Sequence, residues 1–113
     1  MAEPILTSVT GDNENTTITC SGAMDLHNCR EFGREIKKAS ESVDALTVDF
    51  RSVVFIDTAV VQDLLVAART MMRRGKRLRV LVDESAYPRR VLKIIGCDSI
   101  MDVIAESSAN LKQ

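Results

Sequence analysis

An apolar run rich in β-branched residues, 45–50 (ALTVDF) continued by 53–56 (VVFI), passes directly into a helical stripe at Asp57-Thr58 with no linker between them. A strand that turns straight into a helix favours a layered α/β fold, in which the helix packs on the sheet and returns the chain for the next strand. The stripe is Val60, Val61, Leu64, Leu65, Ala68 and Met72, the spacing of one helix face. Gly75, following Arg73-Arg74, is the expected C-terminal stop.

The flanking segments fit the same scheme. Residues 5–9 and 16–20 are short, β-branched and separated by the polar turn 11–15 (GDNEN), so they read as a β-hairpin. From Leu26 onward Cys29, Phe32, Ile36, Ala39 and Val43 recur every three to four residues, with Arg30, Glu31, Arg34, Glu35, Lys37 and Lys38 on the other face. This predicts an amphipathic helix with Asp25 as its N-cap. Residues 78–82 (LRVLV) form a fourth strand. Ser85 or Tyr87 is placed to cap a third helix, with Pro88 in its first turn and Gly96 past its end, and residues 100–104 make a last short strand. The order β-β-α-β-α-β-α-β predicts an α/β fold: a mixed, four-to-five-stranded sheet with parallel crossovers and helices packed against it. No repeat or linker interrupts the 113 residues. Residues 1–113 are therefore read as one domain, with a polar tail from about residue 106.

Composition removes several classes of function. Fifteen basic and sixteen acidic residues leave a net charge of -1, so no global field draws the chain to nucleic acid or to a membrane surface. No apolar run approaches the ~18 residues of a membrane span. The opening MAEPILTSVT has neither the basic nor the apolar region of a secretion signal, so a cytoplasmic protein is expected, without direct nucleic-acid binding or membrane insertion. Cys20, Cys29 and Cys97 are odd in number and widely spaced, as expected of reduced core thiols. His27 and Cys29 lack a second ligand pair for a metal. Gly75-Lys76 lacks the spacing of a phosphate-binding loop. No metal or cofactor is expected, and with no nucleophile, base and orienting group in one pattern, no enzymatic activity either. Arg69, Arg73, Arg74, Lys76, Arg77 and Arg79 form a basic run, better explained by a solvated helix C-terminus than by an anionic ligand. Met71, Met72, Ile94, Ile95 and Met101 are read as core filling rather than as a partner groove.

Functional residues of open α/β sheets gather at the carboxyl ends of the strands, where the next helix presents unpaired N–H groups and a partial positive charge. Asp57-Thr58 occupies such a position. Capping alone accounts for both residues, but a hydroxyl there is also suited to phosphorylation, because the added charge meets the favourable end of the helix dipole.

The segments FIDTAVVQDLLVAARTMMRRGKRLRVLV, SGAMD and RRVLKIIGCDSIMDVI together resemble the STAS domain family, the fold of bacterial anti-sigma factor antagonists, over nearly the whole chain. In that family a strand ends in Asp followed by a Ser or Thr that a partner kinase phosphorylates. The resemblance implies that Thr58 is the phosphoacceptor and Asp57 its acidic neighbour. It also implies that Asp25, in a Gly-Ala-Met-Asp signature similar to the family's Gly-Glu-Leu-Asp, lies at the same end of the sheet. The implied partner surface comprises Asp25, Asp57, Thr58, Ala59, Val61 and Gln62, and the implied partner is an anti-sigma factor with serine/threonine kinase activity. Val60-Val61 stand where many members have Gly-Leu, and a β-branched residue does not permit the close backbone approach that glycine does. Two other STAS roles fit the same residues: an accessory subunit binding the ATPase of an ABC-type transporter, and a scaffold subunit of a stress-sensing complex. The oligomeric state is left open.

Overall fold

The computed structural model describes residues 6–107. Their elements are β1 (Leu6–Gly11), β2 (Asn15–Met24), α1 (Arg30–Ser42), β3 (Ala45–Ile56), α2 (Thr58–Arg73), β4 (Leu78–Asp83), α3 (Tyr87–Ile95), a short 3-10 turn (Cys97–Ser99) and β5 (Asp102–Glu106). One mixed sheet contains all five strands in the order β1-β2-β3-β4-β5, with β1 antiparallel to β2 and the later neighbours parallel. The expected element order and fold class are therefore correct. Ile5, expected in the first strand, lies outside the described residues.

Each parallel crossover steps the same way across the sheet, so right-handed connections carry all three helices to one face. On that face Ile18, Cys20 and Met24 of β2, Leu46, Val48 and Phe50 of β3, and Leu78, Val80 and Val82 of β4 join one core with Phe32 and Ile36 of α1, Leu64 and Met71 of α2, and Leu92 of α3. Phe32 and Phe50 meet with ring centroids 5.6 Å apart. The opposite face is polar: Thr17, Thr19, Thr47, Asp49 and Arg79 alternate with the core residues and none is buried. Across it Arg51 reaches both Asp49 (2.8 Å) and Glu106 (3.1 Å), joining β3 to β5.

β3 is one continuous strand rather than two apolar pieces. Five steps along β2, from Thr19 to Met24, are matched by seven along β3, from Asp49 to Ile56, with register shifts at Thr19/Ser21 and Gly22/Ala23. Each extra residue is a bulge that changes which side of the sheet the following side chain faces. The buried series Leu46, Val48, Phe50 thus jumps to Val53 and then Ile56. Gly22 supplies the positive φ of 88° at the second irregularity, a conformation costly for a residue with a Cβ.

Several local expectations are corrected. α1 begins at Arg30, with Cys29 at the N-cap and no capping side chain, so Asp25 does not cap it. α3 has Ala86 at its N-cap, while the Ser85 hydroxyl donates to Asp83 and Tyr87 is the first helical residue. Within α2 the buried stripe is Val60, Val61, Leu64, Ala67, Ala68 and Met71; Leu65 is only partly buried and Met72 is exposed, as are Ile94 and Ile95. Of the methionine-isoleucine group only Met71 and Met101 fill the core. Much of the basic run ties elements together instead of being merely solvated. Arg74 donates to the carbonyls of Ser40 (2.9 Å) and Val43 (2.8 Å) at the end of α1. Lys76 meets Asp44 at 3.4 Å and Arg77 meets Asp102 at 2.8 Å. Gly75 does end α2: its N–H donates to Met72, and Lys76 N–H reaches back to Met71. All three cysteines are buried.

Candidate functional site

Asp57 joins the sheet to the helix. Its N–H donates to the Met24 carbonyl at 2.9 Å, closing the β2–β3 pair. Its extended backbone and side chain then cap α2, with the Ala59 N–H donating to Asp57 Oδ1 at 3.0 Å. The Asp57 carbonyl accepts the first helical bonds from Val60 (3.0 Å) and Val61 (3.3 Å). Thr58 is the first helical residue and is exposed, so its hydroxyl stands in solvent at the positive end of α2. Gln62, one turn further on the same face, is also exposed, and Ala59 is half-buried.

Val61 belongs elsewhere. It is 3% exposed and packs into the core, so it supports the surface from below and offers nothing for a partner to touch. The helical period explains this, since Val60, Val61 and Leu64 all turn toward the sheet.

The parallel register Met24↔Ile56 sets the ends of β2 and β3 side by side, which brings Asp25 to the Asp57 edge. Asp25 organises the turn after β2. Its Oδ1 accepts from the N–H groups of His27 (2.9 Å) and Asn28 (3.0 Å), and Asn28 Oδ1 accepts from the Asp25 N–H at 2.9 Å. The Asn28 side-chain amide also donates to the Ala23 carbonyl at 2.8 Å. The Asp-x-x-Asn spacing was a legible signal of this reciprocal turn. His27 is exposed beside it.

Asp63, one turn and a half into α2, is a neighbour that strand-end reasoning missed. Its carboxylate lies against Gly33 of α1, where a Cβ would come to 3.0 Å from Oδ2. Burial pushes the Asp63 carboxyl above its ordinary range. The Cys29 thiol beneath is likewise pushed up, first by burial and then by the carboxylates of Asp63, Asp57 and Asp25. Asp25, Asp57 and Asp63 thus gather around Cys29, beside the start of α2. Among the described residues no three His, Cys, Asp or Glu side chains come together as metal ligands. No helix among them is long and apolar enough to cross a membrane.

A family model described as "Mlab, STAS domain" matches residues 7–104. The chain belongs to the STAS domain family. Solved structures with the same fold include an anti-sigma factor antagonist from Mycobacterium paratuberculosis, with a TM-score of 0.77 and 19% identity over 99% of this chain and 97% of that one. The anti-sigma factor antagonist SpoIIAA in its unphosphorylated form has a TM-score of 0.73 and 20% identity over 95% of both chains. The phosphorylated form of the Bacillus cell fate determinant SpoIIAA has a TM-score of 0.69 and 21% identity over 95% of this chain and 98% of that one. No curated protein matches the STAS chain in sequence.

Proposed function

We propose that this STAS domain is an anti-sigma factor antagonist-like regulator, which binds an anti-sigma factor with kinase activity and is released when Thr58 is phosphorylated. The observation that carries this reading is the exposed Thr58 hydroxyl at the first position of α2, directly after the capping Asp57. Proteins of this fold that are anti-sigma factor antagonists, one of them described in both phosphorylated and unphosphorylated forms, support it. The physical basis of a switch is local. A phosphate adds about −1.5 to −2 charges to a surface where Asp25, Asp57 and Asp63 already stand around Cys29. The helix dipole offsets that charge for the domain itself but not for a partner pressed against the same corner. The contact residues in this reading are Asp25, Asp57, Thr58, Ala59 and Gln62.

The test incubates the purified chain with ATP and the kinase encoded next to it, followed by intact mass and peptide mapping. A single phosphate on Thr58, absent from Thr58→Ala, together with loss of kinase binding by Thr58→Glu, is the expected result. Equal labelling of wild type and Thr58→Ala, or no labelling, would overturn the switch. Partner binding that Thr58→Glu leaves intact would mark the surface as a permanent interface, as in a transporter-accessory or scaffold subunit.

A further inference from the structure

The chain has three phenylalanines and one tyrosine, and two of these four rings stand at the surface stacked on each other. Phe55 near the end of β3 and Tyr87 at the start of α3 have centroids 5.4 Å apart and planes inclined by 16°, and each is 38% exposed. Arg90 lies over the Tyr87 ring at 5.9 Å. Beside Phe55, Val54 is 66% exposed, and Ile94 on α3 is 84% exposed. Tyr87, Arg90 and Ile94 are spaced by three and four residues, so they share one face of α3. The second irregularity of β3 is what turns Val54 and Phe55 outward while Val53 and Ile56 enter the core. The result is a group of exposed apolar side chains about the stacked rings, with Arg90 among them, beginning at the same end of the sheet as Thr58. Such clustering, rather than a scattered exposed residue, is typical of a binding surface, and aromatic and arginine side chains are the types that dominate binding energy.

We infer that the Val54, Phe55, Tyr87, Arg90 and Ile94 strip is a second docking surface, for a partner-protein segment that combines apolar side chains with carboxylates. Charge chooses this occupant. Arg90 lies among these apolar side chains and α3 (YPRRVLKII) carries no acid, so an acidic segment meets a cation there with no carboxylate of the helix to oppose it. A second copy docked through the same strip would set Arg90 against its own counterpart. An anionic membrane would meet the same cation, and its binding is an outcome of the test. The inference goes beyond the Thr58 reading and does not require it.

The test selects a displayed library of random peptides on the immobilised full chain and measures the survivors by fluorescence anisotropy. Survivors are expected to mix apolar residues with Asp or Glu. Their affinity is expected to fall about tenfold with Tyr87→Ala, with Arg90→Glu and with Ile94→Ser, and to be unchanged by Thr58→Glu. Ile94 is the most exposed of the strip, so Ile94→Ser keeps the test valid if the loss of the ring stack perturbs folding. Failure to recover peptides, survivors without acidic residues, or binding indifferent to the three variants would overturn the inference. So would strip-dependent self-association in sedimentation, or strip-dependent binding to phosphatidylglycerol vesicles.

Discussion

Asp57 serves the sheet and the helix at once, and the two roles separate by mutation. Asp57→Ala removes the side-chain acceptor of the Ala59 N–H and is expected to cost about 1 kcal/mol in urea unfolding, while Asp57→Asn retains most of the cap. Asp49 gives the chain a defined acid sensitivity. Burial alone would raise its carboxyl, but hydrogen bonds from Arg51 outweigh burial and hold it below the ordinary 3.8. A carboxyl whose folded value is depressed contributes stability above its unfolded value, and that stability is lost as pH falls through the folded value. Asp49→Asn should therefore lower the melting temperature at neutral pH and flatten its decline below about pH 4; an unchanged acid limb would refute the assignment. At this scale Asp57 and Thr58 were legible because capping involves only neighbours in sequence. Asp25 was misassigned as a cap, although its Asp-x-x-Asn spacing is local, because the helix starts four residues later than the apolar period suggests.

Between elements, Arg74 shows how a basic run conceals distinct roles. Its guanidinium satisfies the carbonyls of Ser40 and Val43 at the close of α1, groups that a helix end otherwise leaves to water. Arg74→Met is expected to lower stability by about 2 kcal/mol, whereas Arg73→Met, on the exposed side, should stay within about 0.5 kcal/mol. Denaturant midpoints for the pair check this. Helix α2 was readable from its period and its glycine stop, but β3 was not readable as one strand. Its bulges break the alternation that identifies a strand, and they arise from pairing with β2, which is not a local property. The same pairing turned Phe55 outward.

For the whole molecule, the one-directional strand order puts α1, α2 and α3 over a single core, so loss of one contact should weaken the entire domain. Leu64→Ala, at a fully buried position of α2, is expected to cost 2–5 kcal/mol. Circular dichroism and cysteine accessibility at the buried Cys20, Cys29 and Cys97 should shift together, as one transition requires. Separate transitions would show that the elements do not share one core. Element type and order and the strand-to-helix junction at Asp57-Thr58 were determined by the sequence itself, because period and capping act over a turn or a strand. Tertiary structure alone decided the bulged register of β3, the gathering of Asp25, Asp57 and Asp63 around Cys29 and the stacked Phe55-Tyr87 surface. Each of these depends on which distant residues the sheet brings opposite one another, and no local pattern encodes that.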